Sequence, residues 1–151
     1  MTVTRAAGQT AGLTRRVLSL LYEILLVTAL VLAGLVPLAL LTESWDSSLR
    51  RPFHQLYLVV LLGVYFVWQW TQGGQTLAMK TWRLKLVTRE GAPLKVSHGL
   101  RRYAFALAGT ALGGVGFIWA LFDRERQFLH DRLAGTKIID VPAATASPPQ
   151  R

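Results

Sequence analysis

The sequence predicts an all-α membrane protein with a small β element, and three observations predict it. Hydrophobic residues fill 52 % of the 151 positions and charged residues 17 %, against roughly 25 % charged in soluble domains. The apolar residues gather into long uncharged runs. The 17 Lys and Arg, set against 8 Asp and Glu for a net charge of +9, flank those runs as they do around membrane helices. They are not spread over a soluble scaffold, as in a nucleic-acid module. The expected partner is therefore a bilayer with anionic headgroups, not nucleic acid. The predicted architecture is two transmembrane helices, a third glycine-broken apolar segment that spans or re-enters, and a cytoplasmic β-hairpin or three-stranded element.

The first span covers about residues 17–41. Ile24 to Leu41 holds eighteen residues without a charge, and extension back through Val17 adds one acid, Glu23. About 20 apolar residues cross a bilayer. Pro37 predicts a kink or an early end. The alternative of a cleaved export signal, prompted by "TRRVLSLL", fails because the apolar core exceeds the 7–15 residues of a signal. The second span covers about 53–70. Its centre is uncharged and aromatics mark both ends: Phe53 and Tyr57, then Trp68 and Trp70, the pattern of interfacial belts. The third segment, Tyr103 to Phe122, is twenty residues without charge. Gly109 and Gly113 form a GxxxG, which either lets helices approach closely or breaks the helix.

Charge sets the sidedness. The N-terminal tail carries Arg5, Arg15 and Arg16 without an acid, the 42–52 connection is balanced, and 71–102 carries seven Lys or Arg against Glu90. Basic loops stay inside, so the N-terminus and 71–102 are expected to be cytoplasmic. Within the latter, "TWRLKLVT", the turn "REGAP" and "LKV" predict a short hairpin. A lone two-stranded hairpin is marginal in water. "TKIID", residues 136–140, is the candidate third strand, and pairing would place the C-terminal side in the cytoplasm too. Residues 1–141 read as one domain. Residues 142–151, small, polar and Pro-rich, read as a disordered tail.

Glu23 is the first functional candidate. A carboxylate inside a spanning helix is costly unless paired, protonated or wet, so it reads as a proton or cation site, or as one half of a fixed ion pair with an arginine. Arg15 and Arg16 read as phosphate anchors, or as partners of Glu23 or Asp131. His130, Asp131 and Arg132, following Asp123 to Arg126, read as a salt-bridged elbow at the membrane surface. There are no cysteines, and His54, His98 and His130 lack ligand spacing. Neither a metal nor another cofactor is expected. No nucleophile elbow is present, and "GGQTLAMK" lacks the phosphate-loop pattern and reads as a helix stop. The chain is not expected to be an enzyme.

Several stretches together resemble the RDD family of bacterial membrane proteins, named for an arginine and two aspartates. "AGLTRRVLSLLYE" resembles its opening, with Arg16 (or Arg15) as the arginine and Glu23 where the first aspartate usually lies. "GQTLAMKTWRLKLV" resembles its post-helix signature, with Gly74, Gln75, Thr76 and Lys80. "ALFDRERQFLHDRLAGTKII" resembles its last motif, with Asp131 as the second aspartate beside His130, Arg132 and Gly135. The Glu at position 23 keeps the acid but alters its reach. The resemblance implies a multi-pass protein of the bacterial inner membrane. It also implies transport of an unidentified solute, or sodium–proton exchange. A transport reading of the residues assigns Glu23 as the cation or proton site, with Arg16 and Arg132 tuning it. So short a chain predicts a homo-oligomer or another membrane protein as partner. The rival reading is a non-transporting scaffold or accessory subunit acting through its basic face.

Overall fold

The computed structural model describes residues 11–123 and 127–141. Helix α1 runs Leu13–Leu41 and helix α2 runs Ser47–Gly73. Their 29 and 27 residues give lengths of about 40 Å at the helical rise. Both are long and apolar enough to cross a membrane. The expected early end at Pro37 is not found, because α1 continues for four more residues to Leu41. Thr42 then closes it, with both its backbone N–H and its hydroxyl donating to the Leu38 carbonyl. Asp46 starts α2 as an N-cap, accepting from the Ser48 N–H at 2.8 Å.

Gly74, left-handed with φ 70°, ends α2. The short helix α3, Leu77–Thr81, and strand β1, Leu84–Thr88, follow. Helix α4, Val96–Ala111, and helix α5, Val115–Phe122, come next, then the one-turn helix α6, Leu129–Leu133, and strand β2, Thr136–Asp140. The third apolar segment is thus two helices. Gly113 and Gly114, with φ 78° and 80°, supply the reversal that a residue with a Cβ adopts only at a cost. Gly109 does the other job expected of the GxxxG, but toward α5: a Cβ there would lie 3.4 Å from Gly116 Cα. Small residues also mark the other helix crossings. Gly34 of α1 faces Tyr57 and Leu61, and Gly63 of α2 faces the Tyr103 ring, as close helix packing in lipid favours.

The β element departs from expectation in one respect. Strand β1 pairs antiparallel with β2, Leu84 opposite Asp140 and Thr88 opposite Thr136. "LKV" is not a strand. Leu94 is buried in the core and Val96 begins α4, so the sheet has two strands among the described residues, not three. The free edges are not bare. Gly74 O accepts from Leu86 N at 2.7 Å on one side, and Ile138 O accepts from Ala11 N at 3.1 Å on the other. The core packs against this sheet: Trp70, Met79, Leu84, Leu86, Leu94 and Ile138. It therefore sits at the end of the helix pair where α1 begins and α2 stops. The supposed tail, 142–151, lies outside the described residues.

Candidate functional site

Helices α1 and α4 both pack against α2, leaving a cavity of about 260 Å³ between them. Leu20, Leu62, Phe66, Tyr103, Ala106 and Leu107 make its walls apolar. Its polar lining is Arg16, Ser19, Glu23, Thr76, Arg102, Thr110 and His130. Positions 16, 19, 20 and 23 fall on one face of α1 by helical spacing, and Arg16, Ser19 and Glu23 are the buried residues of that helix.

Glu23 lies about 10 Å along the helix from Arg16. Its Oε1 accepts from the Tyr65 hydroxyl at 2.8 Å and its Oε2 from the Thr76 hydroxyl. Thr76 is fixed by its second task, capping α3 by accepting from Met79 N at 3.2 Å. No ion pair to Glu23 forms among the described residues.

Asp131 is fully buried and belongs to a different arrangement. Its Oδ1 receives both Nε and Nη2 of Arg102 at 2.6 Å, while Oδ2 is buried without a hydrogen-bond partner among the described residues. The Arg102 guanidinium lies 4.2 Å over the Trp70 ring, which attracts it electrostatically. Trp70 is therefore not the interfacial anchor predicted for it, since it is 5 % exposed, whereas Trp68, at 64 %, remains outward. Arg16 is also buried, and interacts electrostatically with Asp131, Asp140 and Asp123. His130 stacks on Phe128 and its Nε2 lies 3.8 Å from Asp131 Oδ1. Burial pushes its imidazole down to about 4; Asp131 opposes that shift and Arg102 adds to it.

The structure thus brings Arg16, Glu23 and His130 to one cavity, with Asp131 just behind Arg102. The other predicted residues lie elsewhere. Arg15 pairs with Asp140 at 3.3 Å on the surface. Arg132 pairs with Asp123, so it does not tune Glu23. Gly74 and Gly135 are left-handed turns. A Cβ on Gly74 would lie 2.5 Å from Leu86 O. Gln75 donates to Leu84 O at 2.7 Å. Lys80 is exposed and lines a second hollow, of about 380 Å³, on another face of α2. Sequence reasoning missed Arg102 and Tyr65. Arg102 is one of two adjacent arginines before an apolar run, which reads as an anchor. The available signal was the i, i+3, i+4, i+7 pattern of Gly99, Arg102, Tyr103 and Ala106, which sets Arg102 on the packed face. Tyr65 sits within an apolar stretch and gave no signal.

Among known proteins, the model of the RDD family matches residues 10–135. No curated protein and no solved structure matches. The matched span contains Arg16, Glu23, Arg102 and Asp131.

Proposed function

The chain belongs to the RDD family, and from that premise we propose that it is a multi-pass membrane protein that binds a small cation or solute at Glu23 and moves it in exchange for a proton. One observation carries the reading. Glu23 is buried beside a cavity, yet among the described residues it is held by two neutral hydroxyls and not by a cation. Asp131, by contrast, accepts from the buried Arg102 guanidinium. An acid held by hydroxyls can take up a proton or give it to an incoming cation without breaking an ion pair. In this reading α1 and α2 cross the bilayer, and α4 and α5 enter and return on the sheet side. That side is the cytoplasm, by its basic residues, and the membrane is the bacterial inner membrane. The outward faces of α1 and α2, with Leu21, Leu25, Leu40 and Val64 exposed, meet lipid or a second copy.

The test is flux into vesicles holding a pH gradient, with sodium, potassium or lithium outside. Cation-dependent proton movement by the wild type that Glu23→Gln abolishes supports the exchange. No flux with any of the three cations, from correctly folded protein, removes it. The scaffold reading has its own support in the exposed Lys80, Arg83, Arg89, Lys95 and Arg101. It gains if flux is absent and a soluble or membrane partner is lost when those residues are neutralised.

A further inference from the structure

Glu23 faces the cavity between α1 and α4, but one of its two hydroxyl partners also borders a different space. Tyr65 lines the second hollow, together with Trp68, Gln69, Gln72, Gln75 and Lys80, while its hydroxyl donates to Glu23 Oε1 at 2.8 Å. Tyr65 thus bridges the two spaces. Thr76, the other partner, is 2 % exposed and lines the Glu23 cavity. Beside Tyr65, Gln69 Oε1 accepts from Leu77 N at 3.1 Å. The Tyr65 hydroxyl donates its proton to Glu23, and a phenolic oxygen that donates can also accept.

The hollow is the wetter of the two spaces in its chemistry. Three glutamines and a lysine line it, and Gln72 and Lys80 are exposed. It lies at the C-terminal end of α2, beside the sheet. The Glu23 cavity is walled mainly by leucines and aromatics.

We propose that Tyr65 relays protons between water in the glutamine-lined hollow and the Glu23 carboxylate. A hydronium ion in the hollow gives its proton to the phenolic oxygen as the original phenolic proton passes to Glu23 Oε1. One O–H bond forms on Tyr65 and one breaks. Hydronium becomes water, the carboxylate becomes the acid, and the tyrosine is neutral before and after. Rotation of the hydroxyl resets it, and release runs the same steps backwards. The relay deepens the exchange reading and rests on Glu23 being the titrating group.

Time-resolved infrared spectroscopy after a pH jump, on the full chain in vesicles, follows the carboxylic-acid C=O band that Glu23→Gln lacks. Removing the phenolic oxygen with Tyr65→Phe slows the rise of that band by roughly tenfold or more, as loss of a positioned proton donor does, and leaves its final amplitude unchanged. Plugging the hollow through Gln72→Cys and a bulky thiol reagent slows it likewise. A wild-type rate in either protein overturns the relay and leaves Glu23 as the titrating acid. Absence of any Glu23 band in the wild type at every pH overturns the relay and the exchange reading together. If Tyr65→Phe fails to fold, the Gln72 arm decides alone.

Discussion

Arg102 and Asp131 exchange charge-assisted hydrogen bonds where both side chains are nearly dry, 8 % and 1 % exposed. Removing one partner strands the other, which costs about 3–5 kcal/mol. Asp131→Asn is therefore expected to lower the thermal midpoint in detergent sharply. Arg15→Ala, which breaks a pair with side chains 57 % and 35 % exposed, is expected to cost about 1 kcal/mol or less. His130 adds a pH dependence. Its folded value, about 4, lies below the ordinary value of about 6.5. Between those two the unfolded chain binds the proton and the folded chain does not, so stability rises with pH across that window. Acidification from about 6.5 to 4 should remove about 3 kcal/mol. The difference between wild-type and His130→Gln unfolding profiles, measured over that range, isolates the contribution. At this scale, Glu23 was legible because an acid interrupts an apolar run, and Asp131 because a long motif surrounds it. Arg102 was not, because an arginine at a membrane boundary and an arginine inside a core look alike until its partner is known.

Gly74 performs three tasks for two elements. It ends α2, its carbonyl holds the edge of β1, and its missing side chain makes room for Leu86 O, which a Cβ would approach to 2.5 Å. Gly91 has the same sign of φ, +84°, with open space around it. Alanine at either position meets the left-handed penalty, about 1 kcal/mol. Only Gly74→Ala must also push a strand aside, and it is expected to lose roughly 2 kcal/mol more, read as the difference between the two unfolding midpoints. The two long helices were legible from uncharged length alone. So was the pairing of "LKL" with "KII", because alternation and β-branching mark both and a strand needs a partner. The failure of "LKV" as a strand was not legible. Thr88 N donates to Ala92 O at 2.9 Å, closing a tight turn, and the chain then leaves the sheet to bury Leu94 and start α4.

For the molecule as a whole, the sheet fixes which connections share a side. With α1 and α2 antiparallel across the 42–46 connection, β1, β2 and the start of α1 lie together at one end, and Ser47 lies at the other. Cysteines placed at Glu90 and Lys137 are expected to react with a membrane-impermeant reagent from the same side of sealed vesicles. A cysteine at Ser47 should react from the opposite side. Labelling of Lys137 together with Ser47 would contradict the β1–β2 pairing. That pairing also orders events in time. Leu84 meets Asp140, and every residue of α4, α5 and α6 is synthesised between them. At roughly 5–20 residues per second, β1 waits about 3–11 s for its mate, with an unpaired edge that invites other strands. During that wait the α4–α5 pair must find its place beside α2 without the sheet to guide it. Arrival of β2 is then the fastening step. A chain truncated just before Thr136 should stay open to proteases at β1, where the full chain, with β2 in place, is resistant.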